Sequence, residues 1–193
     1  MSKFIAFSAH LQTQLLTRTN SPHRCLLRSG RSLVLCGALA LMAQPAQSET
    51  GLLLGVGAGY GADAIQVGGL WTQPWTSVNS RLSYGLTGEV AAWRYDEDDM
   101  VQLSLVPLLQ YDFMPNANWR PFVFAGVGPA WISRTQLGDR DLSSEFQFSS
   151  RLGVGLRNSK HSLAVEARHL SNGGIKEPNE GLSYWNLTYG YHF

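Results

Sequence analysis

Thiols are nearly absent from this chain: Cys25 and Cys36 are its two cysteines, and both fall within the first fifty residues. A mature chain beginning near Glu49 therefore has no disulfide, zinc-thiolate site or cysteine nucleophile. Long apolar runs are missing too. The stretch Leu33 to Met42 (LVLCGALALM) stops after ten residues, well short of the about 20 that a membrane-spanning helix needs. Charge of one sign is not concentrated beyond the short run Asp96-Glu97-Asp98-Asp99, and the formal charge is +1. That gives no electrostatic footprint for a nucleic-acid partner. Helical periodicity does not persist anywhere after Glu49. With 44% apolar residues the chain is nevertheless not composed like a disordered one.

What is present begins with a leader. Arg24, Arg28 and Arg31 precede the apolar run, and Ala46-Gln47-Ser48 supplies the small residues that a signal peptidase reads. Residues 1–48 are expected to be a secretory signal and 49–193 the mature domain. Cys36 is a poor lipoprotein site, because bulky Leu35 precedes it and apolar sequence continues after it.

The mature chain alternates apolar and polar residues over segments of roughly ten residues separated by turn clusters, the strand pattern of outer-membrane barrels. Eight strands are expected: Gly51 to Gly61, Ala64 to Trp75, Arg81 to Tyr95, Met100 to Phe113, Pro121 to Ser133, Glu145 to Asn158, Lys160 to Ser171 and Leu182 to Phe193. This predicts an all-β fold, an eight-stranded antiparallel transmembrane barrel. Trp71, Trp75, Trp93, Tyr95, Trp131, Trp185 and Tyr191 lie near segment ends, where an aromatic girdle would place them. The terminal run Trp185 to Phe193, apolar at every second position and aromatic at its end, resembles the C-terminal signature of bacterial outer-membrane barrels. Gly55, Gly57, Gly59 and Gly61 are not a dinucleotide fingerprint, since Tyr60 takes the sixth position of that motif and no helix follows. They read as small residues facing a narrow interior.

One strand carries chemistry. Leu163, Val165, Ala167, His169 and Ser171 share one parity, and Glu166 and Arg168 share the other with Ser162 and Ala164. The apolar, lipid-facing set thus ends in histidine and serine, polar groups that are costly on such a face unless paired or near the interface. Two residues apart on one face, an imidazole can act as general base toward a serine nucleophile. Asn172, Gly173 and Gly174 follow at once, offering a side-chain amide and unhindered N–H groups to an oxyanion. Glu166 and Arg168 are expected to pair inside the lumen. With both termini in the periplasm, the seventh strand ends at the cell surface, so His169 and Ser171 are expected at the outer leaflet.

The segment His169-Leu-Ser171-Asn172-Gly-Gly174-Ile-Lys176-Glu-Pro178-Asn179-Glu-Gly181 resembles the active-site segment of the lipid A 3-O-deacylase (PagL) family, patterned H-x-S-N-x-G-x-K-x-P-N-x-G. The resemblance implies a serine esterase that removes the 3-position 3-hydroxyacyl chain of lipid A, with no cofactor and no metal. Its partners would be lipopolysaccharide, the outer membrane, the barrel-assembly machinery during insertion and a second copy of the chain as a candidate. The family's third catalytic member is a glutamate one or two residues beyond that last glycine, whereas this chain has Leu182 and Ser183 there. Ser183 is expected in the acid's place beside His169, with Glu180, ahead of Glu177, as the carboxylate that swings toward the imidazole. Lys176 is a candidate for a lipid phosphate. Outer-membrane phospholipase A also resembles the chain at His169, Ser171, Asn172 and Gly173, but that family has a considerably larger barrel and uses calcium. A non-catalytic structural barrel is the other alternative.

Overall fold

The computed structural model describes residues 48–193; the predicted leader, Ser48 apart, lies outside the described residues. Eight strands close into one barrel: β1 (Glu49–Gly59), β2 (Ala62–Pro74), β3 (Leu82–Tyr95), β4 (Asp98–Asp112), β5 (Arg120–Ile132), β6 (Phe146–Arg157), β7 (His161–Ser171) and β8 (Leu182–His192). Each is antiparallel to its sequence neighbours, and β1 closes on β8 through pairs running from Gly51 with His192 to Ala58 with Trp185. The expected strands are therefore all present, with ends moved by a few residues. The acidic turn is shorter than its composition suggests. Asp98 and Asp99 belong to β4, and Asp99 is paired across the strands with Arg94 at 2.9 Å.

Period-two alternation sets the two faces. Leu52, Leu54 and Val56 on β1, Leu163 and Val165 on β7, and Leu187 and Tyr189 on β8 all point outward and are exposed. So continuous an apolar wall suits hydrocarbon, not water. The inward parity of β1 consists largely of glycine, as expected of a narrow lumen. A Cβ at Gly55 would stand 2.2 Å from the Gln66 amide, so the missing side chain makes room for a polar neighbour.

The lumen is layered. The end opposite the strand termini Glu49 and His192 holds an apolar cluster that includes Trp93, Met100, Ile132, Leu170, Leu182 and Tyr184, capped by Leu137 and Leu142 from the 133–145 connection. Trp93 corrects the girdle expectation. Its ring is 2% exposed, meets Tyr184 edge-on at 4.5 Å between centroids, and donates Nε1–H to Gln102 at 3.0 Å. Parity is the physical reason, since Trp93 lies two residues from Ala91 and four from inward Glu89. Trp131 and Trp185 do face outward.

Beneath that cluster, two carboxylates and two guanidiniums alternate. Arg151 reaches Glu89 at 2.8 Å and Glu166 at 2.7 Å, and Arg168 reaches Glu89 at 2.6 Å and Glu166 at 2.9 Å. The expected Glu166–Arg168 pair is thus half of a four-membered ring tying β3, β6 and β7 together. Gln66, Thr87 and Thr188 satisfy further atoms of the ring. Removing one partner strands a buried charge. Arg168→Met is expected to lower unfolding free energy by about 3–5 kcal/mol, read as a lower urea midpoint in detergent micelles. Arg94→Met, at an exposed pair, should leave the midpoint in place.

Candidate active site

β7 delivers His169 and Ser171 to the same outward face, at the end of the barrel opposite the Glu49 and His192 strand termini. His169 is exposed and Ser171 half-buried, while Arg168 and Leu170 between and beside them point into the lumen. The side chains share a face because each strand residue reverses the last, and they stand about 7 Å apart along the strand. In register across the neighbouring strands, Ser150 of β6 and Ser183 of β8 flank His169, and Phe148 stands opposite Ser171. A polar row therefore crosses the wall just beyond the apolar row Leu152, Ala167 and Trp185.

The imidazole is held from one side. His169 Nδ1 lies 2.8 Å from Ser183 Oγ. Ser183 thus stands where the sequence placed it, in hydrogen-bonding contact with the histidine. Glu180 does not. Its carboxylate accepts the Asp141 backbone N–H at 2.6 Å, so the expected swing toward His169 gives way to a bond between loops. Glu177 instead accepts the Asn179 N–H at 3.2 Å.

Gly181 explains how the two residues approach each other. Its φ is +63°, a left-handed conformation that favours glycine. A Cβ there would also stand 2.8 Å from His169 Cε1. The chain can therefore turn into β8 directly against the imidazole only without a side chain.

The three residues expected to bind an oxyanion have different fates. Asn172 is fully buried, and its Nδ2 donates to Leu142 O at 3.2 Å and Lys176 O at 2.7 Å. Its Oδ1 accepts the Gly174 N–H at 2.9 Å. Asn172 is thus the organiser of the turn, with its amide hydrogens already committed, and the Gly174 N–H is committed with it. Gly173, at φ +67°, is exposed beside the Phe148 ring. Lys176 is exposed on the same loop. Among the described residues, no group of three or more His, Cys, Asp or Glu side chains could hold a metal ion.

Around His169 the wall is furrowed. A groove of about 600 Å³ is lined by Tyr60, Ser150, Leu152, Ala167, Ser183 and Trp185. Trp185, 67% exposed, forms a ridge that it shares with a second groove of about 730 Å³ containing Ile65, Val165 and Leu187. Small Ala167 between Leu152 and Trp185 leaves a furrow running from the imidazole into the apolar band. Ser150, Asp141 and Leu142 were not singled out by sequence; outward parity could have found Ser150, but the loop contacts carry no local signal.

Comparison with known proteins agrees with the barrel fold. The lipid A 3-O-deacylase (PagL) family model matches residues 53–192. Lipid A deacylase PagL of Pseudomonas aeruginosa is 40% identical over 88 residues, 45% of this chain and 50% of that protein, so the match spans half of that relative's length. Lipid A deacylase PagL of Bordetella bronchiseptica is 32% identical over 163 residues, 78% of this chain and 86% of the relative. Among solved structures, that of the outer membrane enzyme PagL superimposes with a TM-score of 0.67 at 30% identity, covering 72% of this chain and 97% of that one. A closed eight-stranded barrel carrying His169, Ser171 and the Asn172-to-Gly181 turn, matched over this span, belongs to the lipid A 3-O-deacylase (PagL) family.

Proposed function

We propose that the protein is an outer-membrane serine esterase that removes the ester-linked 3-hydroxyacyl chain at the 3 position of lipid A. The observation that carries this reading is the outward-facing pair His169 and Ser171 on one strand face, with His169 lining a largely apolar furrow. Family membership supports the substrate. Barrel topology supports the location: with the strand termini on the periplasmic side, the 172–181 turn faces the outer leaflet, where lipopolysaccharide resides.

Ser171 Oγ attacks the ester carbonyl carbon while His169 Nε2 takes its proton. For that, the imidazole carries its other proton on Nδ1 and donates it to Ser183 Oγ, which fixes tautomer and orientation. The oxyanion of the tetrahedral intermediate is held by the Gly173 N–H. Collapse breaks the bond to the sugar oxygen, which leaves with the proton from His169. Water then cleaves the acyl-serine by the same route, releasing a 3-hydroxy fatty acid and restoring the Ser171 hydroxyl. The acyl chain lies in the furrow floored by Ala167.

The phospholipase alternative differs in substrate. Incubating the purified barrel in detergent with lipid A and, separately, with a glycerophospholipid distinguishes them by mass spectrometry. Release of one 3-hydroxyacyl group from lipid A with the glycerophospholipid intact is expected. Cleavage of the glycerophospholipid alone would overturn the assignment.

A further inference from the structure

The 133–145 connection is the longest at the site's end of the barrel, and it does more than cap the lumen. Its small hairpin, Gln136–Leu137 against Arg140–Asp141, is anchored by Leu137 and Leu142, which are 2% and 0% exposed in the apolar cluster. Arg134 pairs with Asp98, and the Arg140 guanidinium lies 3.8 Å over the Tyr60 ring. The hairpin is therefore tied to Tyr60 and Asp98 as well as to the active-site turn, where Arg140 Nη1 donates to Glu180 O at 3.4 Å.

From that fixed base it grips the 172–181 turn at both ends. Leu142 O accepts from Asn172, the residue directly after Ser171. Asp141 N–H donates to the Glu180 carboxylate, and Glu180 N–H returns a bond to Asp141 O at 3.3 Å. Glu180 immediately precedes Gly181, the residue packed on the imidazole, and lies three residues before Ser183. Ser143 Oγ adds a bond to Pro178 O. The residues that flank nucleophile and base are thus referenced to one rigid hairpin.

We infer that Glu180 is a positioning residue: its carboxylate latches the active-site turn to the Asp141 amide, setting where Gly181 and Ser183 meet His169. The role is that of an acceptor, not of a charge. It rests on the reading of His169 and Ser171 as the esterase pair.

The two roles part on substitution by an uncharged isostere. Glu180→Gln keeps an oxygen that can accept the Asp141 N–H, whereas Glu180→Ala loses that acceptor and keeps only the weaker backbone bonds to Asp141 O and from Arg140. A small misplacement of the catalytic groups costs on the order of 10²-fold in turnover. In detergent with lipid A, Glu180→Ala is expected to lower kcat about ten- to hundredfold with KM little changed, and Glu180→Gln to retain most of the wild-type kcat. Leu142→Ala should reproduce the Glu180→Ala loss and Leu142→Met restore it, with each barrel shown to be folded by its heat-modifiable gel mobility. A Glu180→Gln loss as deep as that of Glu180→Ala would overturn the latch in favour of a catalytic charge, and so would wild-type turnover by Glu180→Ala. Wild-type activity in the same assay separately tests the esterase reading.

Discussion

Ser171→Ala is expected to abolish hydrolysis while leaving a fully folded barrel. The serine hydroxyl is half-buried at the end of β7 and contributes nothing to the lumen ring or to the apolar cluster beneath it. Removing one oxygen at a strand end therefore leaves the packing intact. The chemical loss is large, because without the nucleophile the remaining histidine and oxyanion donor act only on water. In serine–histidine systems this costs on the order of 10⁶ in turnover. Turnover of lipid A by the purified variant should fall to background, with unchanged heat-modifiable mobility. Substantial residual turnover would place the nucleophile elsewhere, with Ser150 the first alternative, since it also faces outward beside His169.

Ser183→Glu is expected to raise the rate. The wild-type hydroxyl at 2.8 Å orients His169 but leaves the imidazolium formed during attack without a compensating charge. A carboxylate at this position supplies one. The presence of an orienting acid is worth up to about 10⁴ in turnover, and a longer side chain grafted onto an existing strand should recover at least about tenfold. Ser183→Ala should move turnover the other way by removing the only partner that holds Nδ1 among the described residues. The check is kcat for the three proteins on lipid A. If Ser183→Glu matched the wild type, the hydroxyl would already provide all the orientation that the reaction uses.

Much of this molecule is legible in its sequence because a barrel strand has a strict period of two. Once Leu163, Val165 and Ala167 are assigned to lipid, His169 and Ser171 must face outward and Glu166 and Arg168 inward, and the structure places them so. The same rule applied to β3 turns Trp93 inward with Glu89, whereas reading it as a strand-end aromatic puts it on the wrong face. Asp98 and Asp99 extend β4 because Arg94 and Arg134 neutralise them from neighbouring segments, and composition alone marks them as turn.

The part that sequence did not reveal is the loop architecture. Asn172 is followed by two glycines and reads as a free amide, yet Leu142, thirty residues earlier, claims it. Glu180 reads as a mobile acid, yet Asp141, thirty-nine residues earlier, holds it. Neither partner has a periodicity or motif to announce it, since the contact depends on a capping loop folding across the barrel mouth. Ser183, by contrast, sits on a strand, and its pairing with His169 follows from register.

The most direct test is the lipid A of cells producing the wild-type chain or its Ser171→Ala variant, analysed by mass spectrometry after both barrels are shown to be folded in the outer membrane. Loss of one 3-hydroxyacyl group from lipid A with the wild type, and intact lipid A with the variant, is the expected result. Lipid A unchanged by both, or equally trimmed by both, would contradict deacylation by Ser171.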